Sequence, residues 1–518
     1  MRRARPQLSI LLLVLTACAP KVRRTPDDTL VCVLQQNILE LDPRWTLGSQ
    51  ELKVSRLIAP GLVSVDQASL EPRMELAERV DSVDPLTWEV TLRPDVRFPD
   101  GSLLTSRDVV FTFATTIDPK FRAVYYRQFS ERLAGVEAID ERRVRFRLKQ
   151  PLATFVTDLD FGIVQASEAE KHGGRWAGGV AVGAGPFQIV SLEIGEVVLA
   201  KNPHWFRGAP PLERVIFRSM ADTNARLLVL VGGSADLMLN DVRLDLLPHL
   251  ADQPRLRIET GPSALLTYLM MKNDDPQLAD PRVRRAIALA IDREKIVRGK
   301  FIGRARLATG LLPPGHWAYS ADVPVYPYDP ERARALLDEA GFPDPDGPGP
   351  LPRFALTYKT SSDGFRIAVA RLIAAYLAEV GIAVEVRPFE FATFFADVKR
   401  GNYQLASMQT SEIVEPDMYF NYFHTSRIPT PEQPDLGNRW RYRSPVADDL
   451  IERGRRTLDR EERKRIYAEL QRRVAEDVPV VPLWHEDNVA LTNVDVRGFE
   501  VLPNARFPSL AVVSKAAR

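Results

Sequence analysis

The sequence predicts an α/β protein of two or three domains, in which helices cover a mainly parallel sheet. The chain has 518 residues, which is too long for one ordinary hydrophobic core. Hydrophobic residues make up 45% of the chain and charged residues 26%, a composition typical of globular rather than disordered proteins. Strand-like and helix-like segments alternate between residues 354 and 408, and such alternation favours a parallel sheet.

Capping signals predict several helix boundaries. Asp280 is a good N-cap because its carboxylate can accept from free N–H groups of the first turn, and Pro281 suits the first helical position. Asp292 starts a second helix, and residues 329–341 contain a third that is capped in the same way. The apolar residues after Pro281 recur at helical spacing and form one face: Val283, Ala286, Ile287, Ala290 and Ile291.

Period-two alternation predicts two half-buried strands in the N-terminal part of the chain, at residues 88–92 and 144–148. Between them, a turn at Asp100-Gly101 precedes a helix opened by Thr105, with Asp108 in its first turn. The tail, residues 487–518, is also expected to form strands.

The first 18 residues indicate an exported lipoprotein. Three arginines precede a short apolar run, residues 8–15, which is shorter than the roughly 20 residues of a membrane-spanning helix and is typical of a signal peptide. The run ends in Leu15-Thr-Ala-Cys18, which has the form of a bacterial lipobox, so lipidation is expected on Cys18. The alternative is an ordinary signal peptide with an incidental cysteine. Cys32, the other cysteine, lies in an apolar segment and is predicted to be buried.

Charge and motifs argue against nucleic-acid binding and catalysis. Lys plus Arg (69) nearly equals Asp plus Glu (68), so the chain has no overall basic field for nucleic acid. The sequence has no Gly-x-Ser-x-Gly elbow, no His-Glu-x-x-His helix and no cysteine pair for zinc. We therefore expect a binding protein rather than an enzyme, with no catalytic residues, no cofactor and no metal site.

Several motifs resemble one family in collinear order. Tyr268-Leu-Met-Met-Lys-Asn273, followed by Asp280-Pro-Arg-Val-Arg-Arg-Ala286, resembles the opening of the second lobe in extracellular solute-binding protein family 5. That family includes the oligopeptide-, dipeptide- and nickel-binding periplasmic proteins of ABC transporters. The stretch from Arg93-Pro through Asp100-Gly101 to Thr105, and the turn Gly183-Ala-Gly185-Pro-Phe187, are similar to family motifs too.

The resemblance implies a bilobal, periplasmic-binding-protein-like α/β fold of type II, the large peptide-binding class, with a hinge between two lobes and an extra subdomain in the first. The implied organisation is a lipoprotein signal peptide and lipobox (1–18), a linker (19–29), lobe I (30–262) with an inserted subdomain (about 60–180), lobe II (263–486) and a C-terminal return to lobe I (487–518).

The resemblance also implies function. The protein would be a monomer, exported to the periplasm or cell surface and anchored by Cys18, that captures short peptides or a similar small solute between its lobes. It would deliver them to the permease of an ABC importer. The alternatives are the same fold binding a nickel chelate, an oligosaccharide or an opine-like solute, a receptor or chaperone independent of a transporter, and an exported hydrolase.

Four ligand-binding residues are implied by position in the family. In peptide-binding members an Asp shortly before an Asp/Glu-Pro meets the peptide α-amino group, and here Glu412 stands at that place before Glu415-Pro416. Gln409 replaces a Trp that often lies three residues earlier, which weakens the peptide assignment. Trp45 and Tyr268 are further cleft candidates, and each could equally be a core residue.

Overall fold

A computed structural model describes residues 24–240, 242–347, 349–410 and 413–516. The strands are β1 (Thr29–Leu34), β2 (Val63–Ser64), β3 (Arg73–Met74), β4 (Ala77–Asp84), β5 (Thr87–Leu92), β6 (Leu133–Ala138), β7 (Arg143–Leu148), β8 (Phe187–Glu193), β9 (Glu196–Lys201), β10 (Arg214–Ser219), β11 (Leu237–Leu239), β12 (Leu256–Met271), β13 (Ala305–Leu307), β14 (Phe354–Ser361), β15 (Ile382–Phe389), β16 (Leu405–Thr410), β17 (Val480–Asn493), β18 (Val496–Arg497) and β19 (Ser514–Lys515).

The α-helices are α1 (Ser49–Ile58), α2 (Ser106–Ile117), α3 (Tyr126–Arg132), α4 (Phe155–Asp158), α5 (Ala166–Lys171), α6 (Thr223–Val231), α7 (Leu247–Ala251), α8 (Pro281–Ala290), α9 (Arg293–Phe301), α10 (Pro330–Glu339), α11 (Gly364–Ala378), α12 (Phe391–Arg400), α13 (Met418–Phe423), α14 (Pro445–Arg456) and α15 (Arg460–Asp477). Short 3-10 turns include Thr425–Arg427 and Pro508–Ala511. Among the residues that the structure describes, no helix is both long and apolar enough to span a bilayer.

The helix caps agree with the sequence signals. The Asp280, Asp292 and Asp329 carboxylates accept from backbone N–H groups in the first turns of α8, α9 and α10. Thr105 caps α2, with Asp108 reaching back to its backbone N–H at 2.9 Å. These hydrogen bonds confirm the predicted caps. The sequence alone could indicate them because a capping residue and the N–H group that it satisfies lie within three residues of each other.

One sheet of eleven strands runs through the molecule, in the order β15-β14-β16-β12-β17-β11-β1-β10-β9-β8, with β13 paired to β17. The pairs β14–β15, β14–β16, β1–β10 and β1–β11 are parallel. The others are antiparallel, so the prediction of a mainly parallel sheet is wrong for the sheet as a whole. It holds for residues 354–410, where α11 and α12 connect the strands and parallel pairing is the natural outcome.

The long strands β12 and β17 cross between the two lobes. They pair in one stretch from Leu256 to Pro262 and in another from Leu266 to Met270, with a break in register between the two. On one side of this break β17 pairs with β11, and on the other β12 pairs with β16. The register break is where the shared sheet can bend, because the ladder of hydrogen bonds is interrupted there.

The hydrophobic cores divide along the same line. Two clusters of buried residues are drawn entirely from residues between 266 and 484. The clusters around β1 combine residues between 30 and 256 with residues between 489 and 513. Cys32 belongs to the core around β1 and is a buried free thiol, as predicted. The exact boundaries at 262/263 and 486/487 stay predictions.

A smaller four-stranded antiparallel sheet, β4-β5-β7-β6, lies within residues 77–148 and buries the alternating residues at 88–92 and 144–148 against helix α2. The tail differs from its prediction. After β17 ends at Asn493, the described part of the tail, up to residue 516, contains only the two-residue strands β18 and β19. Apolar side chains such as Phe499 and Phe507 instead fill the core beside β1. The tail has the apolar composition of a strand because its scattered apolar residues are buried in this core, although they do not pair with a neighbouring strand.

The close approach of Gly185 to the end of α1 gives a test of this packing. A Cβ at Gly185 would lie 2.6 Å from the Ile58 carbonyl oxygen and closer still to that of Leu57, both rigid backbone atoms. We expect Gly185→Ala to lower the free energy of unfolding by about 1–3 kcal/mol in urea denaturation. Gly135→Ala is the matched control, because a Cβ there meets nothing within 4 Å. Equal effects of the two substitutions would contradict this account.

Candidate functional site

The candidate site is a cavity of about 540 Å³ between the two lobes. On the first-lobe side it is lined by the segment from α3 to α4, and on the second-lobe side by the loop before α13, by α14 and by the chain around residue 430. Its charged lining residues are Arg127, Glu131, Arg132 and Asp158 from the first lobe and Glu415, Asp417, Arg427, Asp435 and Arg455 from the second.

A chain of ion pairs crosses this cavity. Arg132, at the end of α3, donates to Asp158 Oδ2 at 2.6 Å within the first lobe. The same guanidinium lies 3.5 Å from Asp417 in the second lobe. Asp417 also accepts from Arg455 Nε at 2.7 Å. Burial raises the pKa of Asp158 from its usual value, although Arg132 counteracts part of that rise.

Glu415 forms a second link between the lobes. Its carboxylate accepts from Arg463 Nη2 at 2.7 Å within the second lobe and from Thr157 Oγ1 of the first lobe at 2.8 Å. Burial raises the pKa of Glu415 to about 7, and the Arg463 guanidinium opposes this rise without cancelling it. The carboxyl group is therefore poised to change charge near neutral pH.

Local structure places these side chains. Pro416 follows Glu415, and Asp417 is the residue that precedes the first turn of α13. Ser444 caps α14 and Pro445 occupies its first position, so Arg455 reaches the cavity about three turns later. The backbone carbonyl of Arg455 also accepts from the Ala153 N–H at 2.7 Å, which brings the end of α14 into direct contact with the first lobe.

Gln409 lies outside this cavity, in a polar network on the strands that cross between the lobes. Its amide donates to Glu486 Oε1 at 2.6 Å and to Thr267 Oγ1 at 3.0 Å, and its carbonyl accepts from Arg366 at 3.1 Å. Burial raises the pKa of Glu486 from its usual value. The Gln409 side chain thus ties β16 to β12 and β17 close to the hinge.

Tyr268 is a buried residue of the second-lobe core. Its ring meets Trp440 edge to face, with centroids 5.8 Å apart. It lines a separate small cavity of about 50 Å³ with Thr410 and Tyr422, whose hydroxyl groups are 2.8 Å apart. Burial raises the pKa of the Tyr268 phenol. A buried phenol that packs on Trp440 fits the core alternative that the sequence left open.

Trp45 is packed within the first lobe. The guanidinium carbons of Arg44 and Arg175 lie 4.6 and 4.3 Å from the centre of its ring, and its indole N–H donates to the Phe121 carbonyl at 3.2 Å. The structure does not bring it to the charged cavity. Glu412 and Cys18 lie outside the described residues, so their roles remain predictions.

The sequence analysis did not identify the charged residues of the cavity, although the pair Glu415-Pro416 was noted in the sequence. Glu415-Pro416 marked the position of Glu412, yet the structure gives Glu415 and Asp417 inter-lobe contacts of their own. The arrangement can hold an ion of either sign, and its described lining residues include no nucleophile activated by a neighbouring base. Within the described part of the chain, no three or more His, Cys, Asp or Glu side chains are grouped to hold a metal ion.

Two lobes joined by crossing strands, with a charged cavity between them, define the class of extracytoplasmic solute-binding proteins. Residues 71–429 match the model of the bacterial extracellular solute-binding proteins, family 5, middle region. The chain is also 31% identical over 457 residues to the probable di/tripeptide-binding protein 5 of Pseudomonas aeruginosa, covering 83% of this chain and 85% of that protein. The chain therefore belongs to solute-binding protein family 5, which confirms the resemblance.

Other relatives and solved structures extend the comparison. The glutathione-binding protein GsiB of Escherichia coli K12 is 26% identical over 491 residues, which cover 92% of this chain and 93% of that protein. The structure of NikZ from Campylobacter jejuni with Ni(L-His) superposes with a TM-score of 0.80 at 23% identity, over 95% of this chain and all of NikZ. AppA from Bacillus subtilis with a nonapeptide gives a TM-score of 0.77 at 24% identity, over 94% and 99% of the two chains. These structures confirm the predicted bilobal fold.

Glu415 makes a pH-dependent contribution to stability that can be measured. Its pKa is higher in the folded protein than in the unfolded chain, so its contribution is full below about pH 4.5 and is lost as the pH rises through about 7. A shift of this size corresponds to roughly 3 kcal/mol. We expect Glu415→Gln to remove this dependence, so that the stability difference between variant and wild type, from urea denaturation, changes by up to that amount between pH 4.5 and 8.

Glu469→Gln is the control for this measurement, because Glu469 is an exposed carboxylate on α15, the helix that also carries Arg463. Its difference from wild type should stay constant across the same pH range. A constant difference for Glu415→Gln as well would show that the carboxyl group has the same pKa in the folded and unfolded states and would contradict the raised pKa.

Proposed function

We propose that this protein captures short peptides between its lobes and delivers them to the permease of an ABC importer. The observation that carries the proposal is the presence of both signs of charge, from both lobes, around one cavity of about 540 Å³. A short peptide carries an ammonium group at one end and a carboxylate at the other, and charge-assisted hydrogen bonds to each are among the stronger polar contacts available. A relative covering most of the chain is named for di- and tripeptides, which supports the same ligand class.

Capture follows from the two-lobed arrangement. A ligand that contacts both lobes stabilises the closed state relative to the open one, so binding shifts the equilibrium between them. The closed state is then the form that the permease distinguishes. Glu412 is proposed as the partner of the peptide α-amino group, on the family position described above.

We also propose that the mature protein begins at Cys18 and is held at the membrane by acyl chains on that residue. The apolar run and the Leu15-Thr-Ala-Cys18 string support this. Two or three acyl chains, at about 0.8 kcal/mol per buried CH₂ group, give a stable anchor. The anchor would keep the protein beside the permease without a spanning helix. The lobes themselves act as a monomer.

The first test is binding of the tripeptide Ala-Ala-Ala, measured by isothermal titration calorimetry on ligand-stripped protein. Mass spectrometry of the small molecules released on denaturation identifies any ligand that co-purifies. We expect Ala-Ala-Ala to bind, and Glu412→Gln to weaken its binding by about 10- to 100-fold because a charge-assisted hydrogen bond is lost. N-acetylated Ala-Ala-Ala should bind wild type and variant almost equally.

Glu432→Gln, an exposed loop carboxylate of the same lobe, provides the control and should leave binding unchanged. Equal losses for the free and acetylated peptides would remove Glu412 from the amine site while keeping the peptide. Release of a single non-peptide compound, with no binding of Ala-Ala-Ala, would replace the ligand class; a nickel chelate, an oligosaccharide and an opine-like compound would each be recognised by mass.

The lipid anchor is tested by Cys18→Ser. Since the thiol is the acylation site, we expect the variant to lose the mass of the acyl chains and to leave the membrane fraction. Detergent partitioning of cell extracts, followed by intact-mass measurement, gives both readouts. Cys32→Ser is the control, because that thiol is buried in the first-lobe core and should not affect partitioning. Unchanged partitioning of Cys18→Ser would refute the lipobox interpretation.

A further inference from the structure

A second contact between the lobes lies outside the inter-lobe cavity. The carboxylate of Glu71, in the first lobe, forms an ion pair with the guanidinium of Arg460, in the second. The backbones also approach each other, because a Cβ at Gly315 of the second lobe would lie 3.5 Å from the Ala68 carbonyl oxygen of the first. The described residues that line the cavity include none of these four.

Glu71 is positioned by the loop that joins β2 to β3. Near the start of this loop, Asp66 accepts from two buried tail side chains, Arg506 at 3.1 Å and Asn504 at 2.8 Å. Leu70 is buried with a φ of 58°, a left-handed conformation that is costly for a residue with a Cβ and that persists only where the surroundings impose it. The loop therefore presents Glu71 in a defined position.

Arg460 is held against an aromatic ring. It occupies the first position of α15, directly after the N-cap Asp459, and its guanidinium carbon lies 5.4 Å from the centre of the Trp317 ring. That distance allows a cation–π interaction, which restrains the side chain. The helix dipole disfavours a cation at a helix N-terminus, so α15 itself gains nothing from an arginine at this position. The acidic partner in the other lobe gives the residue a role.

The ion pair is partly exposed to solvent, since the Glu71 and Arg460 side chains keep 32% and 59% of their accessible surface. An ion pair between such side chains typically changes an equilibrium by about 2- to 5-fold, and salt weakens it. An attraction that is made in one arrangement of the lobes raises the population of that arrangement by the same factor. A factor of this size favours closure and still allows opening.

We infer that Glu71 and Arg460 form a latch that favours the closed arrangement of the lobes, in which the lobes touch as they do in this structure. The latch goes beyond the proposed function, because it acts on the lobes whichever ligand is bound and also when none is bound. A ligand that requires the closed arrangement then binds more tightly, by the factor by which the latch raises the closed population.

The test measures how often the lobes come together in the absence of ligand. Ala68→Cys and Gly315→Cys place one thiol on each lobe, and a short bismaleimide joins them when the lobes are close. Because the rate at which the cross-link closes is proportional to the closed population, a small population is still measurable. Cys18→Ser is included in the background, so that the other thiol of the chain is Cys32, which is buried.

We expect Glu71→Gln and Arg460→Gln each to slow cross-linking by about 2- to 5-fold. The double variant should be no slower than either single variant, because both substitutions remove the same ion pair. The differences should disappear in about 1 M NaCl, which screens exposed charges. Glu462→Gln is the matched control and should keep the wild-type rate, since this carboxylate of the first turn of α15 pairs with Arg465 of the same helix at 2.7 Å.

Thermal unfolding of each variant checks that it is folded. If both single variants cross-link as fast as wild type, the ion pair does not distinguish the closed arrangement from the open one, and the latch is overturned. Effects of Glu71→Gln and Arg460→Gln that add fully in the double variant would show that the two residues act separately, and would also overturn it.

Failure of the proposed function has a different signature. If the protein captures peptides, the calorimetric affinity for Ala-Ala-Ala should fall by about 2- to 5-fold in Glu71→Gln, in step with the cross-linking rate. Slower cross-linking with an unchanged affinity would overturn the link between the latch and ligand binding. If wild type does not bind Ala-Ala-Ala, peptide capture fails, and the cross-linking rates, which need no ligand, still decide whether the latch exists.

Discussion

The crossing strands β12 and β17 are the constraint on which the rest of the structure depends. They are the central members of a sheet that belongs to both lobes, and their pairing breaks between Pro262 and Leu266. The buried hydrophobic clusters of the two lobes lie on opposite sides of this break. A change in the angle between the lobes therefore does not require either cluster to come apart. The contacts across the cavity then contribute to which angle is favoured, because they join side chains of the two lobes directly.

Those contacts are polar, and their strength depends on how completely water is removed. Charges at the cavity lose hydration as the lobes approach, and only close pairing offsets that cost. Asp158 and Glu415 illustrate the balance: each has an arginine within hydrogen-bonding distance, yet burial still raises the pKa of each carboxyl group. Burial thus offsets part of the attraction between each carboxyl group and its arginine.

Local signals in the sequence predicted the local structure well, and long-range pairing lay beyond them. Asp280 and Asp329 mark helix starts because the groups they satisfy lie two or three residues away. Whether a strand pairs parallel or antiparallel with β12 depends instead on distant segments: β12 pairs with β17, some 200 residues further along the chain, and no local pattern encodes that pairing. The site shows the same limit. The pair Glu415-Pro416 can be identified in the sequence, but the contact from Thr157 to Glu415 spans 258 residues and becomes evident only in the fold.

Arg427 illustrates how charged residues of the two lobes act on one another across the cavity. Burial lowers the pKa of Arg427; of the charged residues of the first lobe, Glu131 raises that pKa, whereas Arg127 and Arg132 lower it. The first lobe therefore presents one attractive and two repulsive charges to this residue, in a partly dehydrated space where such interactions are stronger than in water. A charged ligand in the cavity would change this balance when the lobes are close together and would have less effect when they are apart, so it would interact differently with the two states. Such a difference between states is the physical requirement for ligand-driven closure.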